Sequence, residues 1–194
     1  MIKNIKRLFK QDKPKVWELT TENKDKIDDK IADFIIGQAE KALAYSLDVA
    51  DKATNRAYAV IVLMIPLTST AVGLLIKEAS QDKRTRNVHK VELFEIITFL
   101  CLAALILLLT IVLPRLTMGN GRAPKDLAHD QMLQNDHSPE RKLLLFKLNE
   151  IKNLQYKIAY NNRINGKRIF RFKLSLLIIC IGFIGGAIMY AMLE

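Results

Sequence analysis

The sequence predicts an all-α membrane protein with three transmembrane helices, of which the first and third extend into the cytoplasm as long amphipathic arms. Three windows are nearly free of charge, namely 57–76, 96–113 and 174–193. Each is long enough to cross the ~30 Å hydrocarbon core of a bilayer as a helix that rises ~1.5 Å per residue. Core helices of soluble bundles keep one polar face, which these windows lack. We therefore expect the lipid bilayer to surround these segments.

The distribution of basic residues predicts the orientation of the chain. Residues 1–56 contain twelve Lys and Arg residues, 77–95 contain five, 114–173 contain thirteen, and none follows residue 193. Basic residues beside spans are enriched on the cytoplasmic side of a membrane. We therefore expect the N-terminus in the cytoplasm and the C-terminus outside. The net charge of +10 then lies mainly on the cytoplasmic parts, close to anionic headgroups or an anionic ligand.

Four segments follow from these patterns. Residues 1–56 form a basic tail and an amphipathic cytoplasmic helix, and residues 57–113 form a two-span hairpin with an outer loop at 77–92. Residues 114–173 form a cytoplasmic loop followed by a heptad helix, and residues 174–194 form the third transmembrane helix.

The stretches beside the spans carry apolar residues at helical spacing, which predicts amphipathic arms. Thr20-Thr21-Glu22 provides N-cap chemistry for the first arm, and Ser138-Pro139 provides it for the last helix. The stripe expected on the first arm consists of Ile27, Ile31, Phe34, Ile35, Gln38, Ala42, Tyr45 and Val49. The heptad seam expected on the last helix consists of Leu144, Leu148, Ile151, Gln155, Ile158, Asn162, Asn165 and Ile169. We expect these two faces to pack against each other.

The first two spans contain the candidate pore or gating residues, which are Pro66, Thr68, Ser69, Thr70, Gly73 and Glu95. A proline inside a span kinks the helix and frees a carbonyl, which neighbouring hydroxyls can satisfy. The face that holds Val62, Pro66, Ser69 and Gly73 either lines a path or makes a close helix contact through small residues. Glu95 is either a charge at the mouth of a cation path or a carboxylate that snorkels or pairs with Lys90 or Lys77.

The third span predicts tight association, either within the chain or between copies. Gly182 and Gly186 form a G-x-x-x-G pattern with Gly185 between them, which lets two helix backbones approach closely. Three helices are too few to enclose a water-filled path, so a channel needs several copies and we expect a homo-oligomer. Asn165-Gly166 is the expected hinge between the cytoplasmic arm and this span.

Basic residues near the inner membrane surface are candidates for binding an anionic ligand. They are Arg122, Lys125, Arg163, Lys167 and Arg168, with a backbone anion nest or a plain turn at 119–122. The collar at the start of the third span can equally anchor the chain to lipid headgroups.

No set of residues predicts catalysis, a metal site or a cofactor. The sequence has no P-loop, no dinucleotide fingerprint and no nucleophile–base arrangement, so we expect no enzyme activity. His129, Asp130, Asp136 and His137 are the only cluster of ligand types, and their spacing matches no metal site. Acidic residues interrupt the basic ones, so we expect no binding of a nucleic-acid duplex.

The residues that enter the first span read Ala50-Asp51-Lys52-Ala53-Thr54-Asn55-Arg56-Ala57-Tyr58-Ala59. The approach to the last span contains Gln155, Asn161-Asn162, Asn165 and Lys167-Arg168. With the two-span hairpin between cytoplasmic helices, these stretches resemble the SLATT class of bacterial membrane effectors, which includes small membrane proteins of the Hailong and Pycsar antiphage systems. The resemblance covers 41–76 and 154–193.

This resemblance implies an oligomeric effector that forms a gated ion channel or pore and depolarises the bacterial inner membrane during infection. A nucleotide made by a partner nucleotidyltransferase would hold the pore closed or open it. Two alternatives stay open from the residues themselves. One is a structural or adaptor protein that acts through its cytoplasmic arms. The other is a holin-like lysis protein, although holins seldom need so long a cytoplasmic portion.

Overall fold

The computed structural model describes residues 26–81, 87–113, 117–119, 121 and 137–193, and helices hold 90% of these residues. Helix α1 is Asp29–Ala79, α2 is Val88–Val112 and α3 is Pro139–Met192, and the described residues include no strand. Each of the three helices is long and apolar enough to cross a membrane. The predicted all-α class with three candidate transmembrane helices is therefore confirmed.

Side chains just before the helices fix where they begin. The backbone N–H of Ile31 donates to Asp28 Oδ1 at 2.7 Å, so Asp28 caps α1. The predicted cap at 20–22 lies outside the described residues, and residues 26–28 are not helical. Ser138 Oγ accepts from the backbone N–H of Arg141 at 3.3 Å, as the sequence predicts for α3. Hydrogen bonds from the backbone N–H of Glu140 and from the Ser138 side chain lower the pKa of Glu140.

The loop between the first two helices is shorter than predicted. Helix α1 continues to Ala79, and α2 begins at Val88, where Asn87 Oδ1 accepts from the backbone N–H of Lys90 at 3.2 Å. The predicted loop at 77–92 was therefore too long. Charged residues such as Lys77 and Glu92 extend the helices by a turn at each side, because a helix end in water tolerates charge.

The described residues fall into two compact units. Those within Met1–Leu47 and Thr117–Arg163 form the first unit, and those within Asp48–Leu116 and Ile164–Glu194 form the second. The unit boundaries lie about ten residues before the predicted edges of the first and third spans, 56/57 and 173/174.

In the first unit, the beginning of α1 packs against the beginning of α3, but not through the predicted stripe. Phe34 and Tyr45 of that stripe are 67% and 68% exposed. The buried positions of α1 are instead Ala32, Leu43 and Ser46. The predicted stripe was wrong at these positions, because the face that packs combines one leucine with a small and a polar residue and lies on another side of α1.

The seam on α3 is also shifted from the predicted one. Ile151 and Asn165 are buried as predicted, whereas Asn162 and Ile169 are exposed. Their places are taken by residues one position earlier, Asn161 and Arg168. Leu154 and Ser175 are also buried, and together with Asn161 and Arg168 they recur every seven residues. The heptad period was thus right, and half of the positions were wrong by one residue.

The second unit is built from the apolar parts of the three helices. Its core cluster joins one face of α1 to one face of α2, with partly buried residues of α3 packed against it. The buried members are Ala57, Ile61, Met64, Cys101, Ala104, Leu108 and Ile111. Alanines at two of these positions keep α1 and α2 close, as in other helix pairs within membranes.

Candidate functional site

The most connected polar residue of the first unit is Asn161 on α3, whose side chain is fully buried. Its Nδ2 donates to Ser46 Oγ at 3.2 Å and to the Met118 carbonyl oxygen at 3.0 Å. The Met118 backbone N–H donates back to Asn161 Oδ1 at 3.0 Å. The Ser46 hydroxyl itself donates to the Leu43 carbonyl at 2.7 Å, which leaves its lone pairs for Asn161. One amide therefore ties three parts of the chain together.

A second contact holds the same segment one turn earlier on α3. Lys157 is 8% exposed, and its Nζ donates to the Gly121 carbonyl at 2.6 Å. Gly121 has φ +83°, a conformation that side chains with a Cβ rarely adopt. Asn161 and Lys157 together fix the backbone at 118 and 121, shortly after the end of α2.

An ion-pair cluster lies further from the membrane part of α3. Lys147 Nζ is 2.7 Å from Asp29 Oδ1 and 2.7 Å from Asp33 Oδ1, so one ammonium bridges two carboxylates on successive turns of α1. Hydrogen bonds to Asp29 and then to Asp33 raise the pKa of Lys147. The cluster and the Asn161 contacts fix α1 and α3 side by side and in the same direction.

We call Ser46, Met118, Gly121, Lys157 and Asn161 the polar lock. The Ser46 hydroxyl is hydrogen-bonded to the Leu43 carbonyl and to Asn161, and the Lys157 ammonium to the Gly121 carbonyl, so the contacts of the lock hold one backbone segment against two helices. Buried amide groups that are fully hydrogen-bonded favour a single arrangement, and losing one partner leaves the others unsatisfied. The lock therefore favours one arrangement of these parts of the chain.

Sequence reasoning missed most of this lock. The predicted seam placed Asn162 on the packed face instead of Asn161, and it gave no role to Lys157 or Ser46. The buried residues 43, 46 and 50 have the same spacing as 154, 157 and 161, but this match becomes visible only once burial is known. The pairing with Met118 could not be read from the sequence, since it depends on where the chain returns after α2.

The predicted pore and gating residues of the first span lie on two different faces. Thr68 is buried against the second span, beside the Cys101 thiol. Pro66, Ser69, Thr70 and Gly73 are exposed. No described atom lies within 4 Å of a Cβ placed on Gly73, so the part of the chain that the structure describes makes no close helix contact at this glycine.

The hydroxyls near Pro66 bond to their own helix. Thr68 Oγ1 donates to the Met64 carbonyl at 2.7 Å, and Ser69 and Thr70 donate to the carbonyls of Ile65 and Pro66 at 3.0 Å. The carbonyl that loses its backbone donor at Pro66 is that of Val62, four residues earlier. Each hydroxyl bonds to the carbonyl one turn before its own position. None of the three therefore bonds to the Val62 carbonyl, which we expected them to satisfy.

Glu95, near the beginning of the second span, is exposed. No ion pair joins it to Lys90 or Lys77 within the part of the chain that the structure describes. Lys90 Nζ instead lies 5.2 Å from the centre of the Tyr190 ring, and Phe94 contacts the same ring at 6.4 Å between centroids. This aromatic contact joins the beginning of α2 to the end of α3.

Two of the three glycines in the third span contact the second span. A Cβ on Gly186 would lie 2.8 Å from Ile97 Cδ1, and one on Gly182 would lie 3.6 Å from the Leu100 side chain. Gly185 has nothing within 4 Å of the same position. The G-x-x-x-G pattern therefore packs α3 against α2 within one chain, which was one of its two expected uses.

The expected hinge lies within an uninterrupted helix. Helix α3 continues through Asn165 and Gly166 to Met192. Asn165 is buried, whereas Gly166 is exposed, and a Cβ placed on it would have nothing within 4 Å. The boundary between the two units falls directly before this pair, between Arg163 and Ile164.

The ligand candidates are only partly described. Arg122 and Lys125 lie outside the described residues, as do His129, Asp130 and Asp136. Among the described candidates, Arg168 is buried, whereas Arg163 and Lys167 are partly buried. The described residues contain no group of three potential metal ligands.

Comparison of the chain with protein-family models, with curated proteins and with solved structures finds no match. The functional conclusion therefore depends on the chain's own residues and their contacts.

Proposed function

We propose that this chain is the subunit of an oligomeric, gated ion channel or pore that depolarises the bacterial inner membrane in antiphage defence. The observation that carries the proposal is a face of the first span that the described residues leave exposed, on which Val62 is followed by Pro66, Ser69 and Gly73. The last three carry the argument. These residues are small or polar, whereas the other exposed positions of the same span include Leu63 and Ile65, which suit lipid tails.

A lipid-facing surface has no need of small and hydroxyl-bearing residues, but a helix neighbour or a water-filled path does. The three spans of one chain cannot enclose such a path. Several copies arranged around an axis can, with the first span of each copy turned inward. Thr68, which is buried against the second span, then supports the subunit instead of facing the path.

The polar lock supports the gating part of the proposal. It holds the segment that follows the second span through Asn161 and Lys157, and so connects the arms to the span hairpin through the backbone. A ligand that binds the arms better with the lock made than with it broken shifts the equilibrium between the two states. The channel would open or close as this equilibrium shifts.

The resemblance of Ala50–Ala59 to SLATT effectors supports the role in defence and the nucleotide ligand. The ligand is then an anionic nucleotide made by a partner nucleotidyltransferase, and among the candidate residues described on α3 the partly exposed Lys167 is the one we would test first. The arms lie in the cytoplasm and the C-terminus lies outside, as the basic residues favour. Fusions of alkaline phosphatase and of a fluorescent protein to the C-terminus test this orientation, and fluorescence without phosphatase activity contradicts it.

The purified protein in liposomes tests the proposed function. We expect ion flux that one candidate nucleotide switches on or off, while empty liposomes show none. An adaptor protein gives no flux under any nucleotide and instead retains a stoichiometric partner on purification. A holin-like protein gives flux without nucleotide dependence and lyses cells that express an endolysin.

A further inference from the structure

The Lys157 ammonium is buried with fewer hydrogen bonds than it can make. Lys157 is 8% exposed, and its Nζ donates to the Gly121 carbonyl at 2.6 Å. An ammonium carries three N–H donors. In the part of the chain that the structure describes, this carbonyl is its one hydrogen-bond partner, and no carboxylate lies within 4 Å of Nζ. A buried positive charge is stable only when its remaining donors are also satisfied, by an anion or by water.

The backbone beside this ammonium offers further donors. Gly119 and Gly121 are both exposed, and neither backbone N–H makes a hydrogen bond within the described residues. No described atom lies within 4 Å of a Cβ placed on either glycine, so these residues leave space beside the chain. Gly121 has φ +83°, a backbone conformation that occurs in the concave segments that bind anions through successive N–H groups.

The polar lock brings the two glycines and the ammonium together. Asn161 exchanges two hydrogen bonds with the Met118 backbone, each 3.0 Å long, directly before Gly119. Gly121 is bound to Lys157, and the Cα atoms of the two glycines are at most about 8 Å apart, because consecutive Cα atoms are ~3.8 Å apart. One ammonium and two backbone N–H groups therefore lie close together at an exposed place.

We infer that Lys157, Gly119 and Gly121 form a phosphate site, which binds a phosphate group of the nucleotide that gates the channel. This inference rests on the proposed function, which takes an anionic nucleotide as its ligand. A phosphate group presents three strong acceptor oxygens, enough for the ammonium and both backbone N–H groups, whereas a carboxylate presents two. Lysine beside a glycine-rich backbone is a combination that proteins use to bind phosphate.

The phosphate site gives the ligand a direct effect on the polar lock. Lys157 and Gly121 belong to both, and Met118 connects Gly119 to Asn161. A phosphate group bound at the site adds hydrogen bonds to the same backbone that the lock holds, so it stabilises the arrangement in which the lock is made. The nucleotide would thereby shift the equilibrium on which gating depends.

Isothermal titration of the full chain in detergent with inorganic pyrophosphate tests the site, because this probe carries phosphate groups without a base. We expect one pyrophosphate to bind per chain. Lys157→Gln removes the positive charge and keeps a donor for the Gly121 carbonyl. It should weaken binding at least about tenfold, because hydrogen bonds between charged groups are the stronger ones. No binding by the wild-type protein, or unchanged binding by Lys157→Gln, overturns the inference.

The matched control is Lys152→Gln, which removes the same charge from the same helix. Lys152 is exposed and lies about 140° around α3 from Lys157. We expect this variant to bind pyrophosphate as the wild-type protein does. An equal loss of affinity in both variants shows a general effect of charge and overturns the site.

Hydrogen exchange of the wild-type protein, followed by mass spectrometry, tests the site without any substitution. Pyrophosphate should slow exchange at the amides of Gly119 and Gly121, because their N–H groups then donate to phosphate oxygens. Exchange at these amides that is unchanged when pyrophosphate saturates the protein overturns the site.

Phosphate groups also occur in lipid headgroups, so a competition experiment distinguishes the two sources. Nucleoside triphosphates should displace bound pyrophosphate, whereas phosphatidylglycerol added to the detergent micelles should not. Displacement by the lipid alone assigns the site to a headgroup and overturns the nucleotide as its ligand.

Flux measurements on the same variants in liposomes separate this inference from the proposed function. Nucleotide-dependent flux that is the same in Lys157→Gln and in the wild-type protein overturns the site and leaves the channel in place. Pyrophosphate binding by a protein that conducts under no condition supports the site and overturns the channel.

Discussion

Replacement of Asn161 by alanine removes the centre of the polar lock. The fully buried amide makes three hydrogen bonds, two to the Met118 backbone and one to Ser46. Each such bond contributes about 1 kcal/mol net, and unsatisfied buried partners add to the loss. Met118 is only partly buried, so water can satisfy part of its backbone after the change. We therefore expect Asn161→Ala to lower the free energy of unfolding by about 2–3 kcal/mol.

Thermal unfolding in detergent, followed by circular dichroism, measures this effect. For a chain of this size, 1 kcal/mol corresponds to a change of roughly 2–4 °C in Tm, so we expect a decrease of about 5–10 °C. Asn162→Ala is the matched control, because Asn162 is the next residue and is exposed, and its effect should stay within about 0.5 kcal/mol. Equal Tm values for the two variants refute the lock.

Three further expectations follow from the third helix. Gly186→Ala places a methyl group against Ile97, so it should gain nothing in Tm, whereas Gly185→Ala meets no atom and should gain up to ~1 kcal/mol of helix stability. Gly166→Ala should give a similar gain in Tm and, if the position is a hinge, a larger change in nucleotide-dependent flux; unchanged flux would remove the hinge. The raised pKa of Lys147 means that its ion pairs stabilise the fold fully below the ordinary lysine pKa of roughly 10.4, and that this contribution is lost as pH rises through the raised value. A Lys147→Met variant should therefore have a lower Tm than the wild-type protein at pH 8, and the two Tm values should approach each other at strongly alkaline pH. A difference in Tm that does not change with pH would contradict the ion-pair origin.

Hydropathy predicted the three helices because a bilayer demands about 20 apolar residues whatever their neighbours are. The start of α3 was also predictable, since Ser138 and Pro139 act within the first turn. The packed face of α1 was not predictable from the sequence. Phe34 and Tyr45 are large aromatic residues of the arm, and both are exposed, because the face that packs is set by how closely the helix backbones approach.

The candidate site was harder to predict than the fold. Pro66, Ser69 and Gly73 lie on one face because of their spacing along a single helix, so this face could be predicted from the sequence. The polar lock depends on contacts between residues 36 or more positions apart, such as Gly121 with Lys157 and Met118 with Asn161. Burial of an asparagine side chain costs free energy unless its amide is hydrogen-bonded, so the sequence alone does not predict that Asn161 is buried. The backbone of Met118, which returns to α3, supplies two of the hydrogen bonds.

The most direct test of the central claim measures whether the face of Pro66, Ser69 and Gly73 lines the conducting path. Ser69→Cys is prepared with Cys101 and Cys180 replaced by alanine, and liposome flux is recorded before and after a charged, membrane-impermeant thiol reagent. Phe99→Cys is the control, because Phe99 is exposed on the second span and should face lipid. We expect the reagent to abolish most of the flux through Ser69→Cys and to leave Phe99→Cys unchanged. Unchanged flux through Ser69→Cys, or equal loss in both variants, would contradict a path along this face.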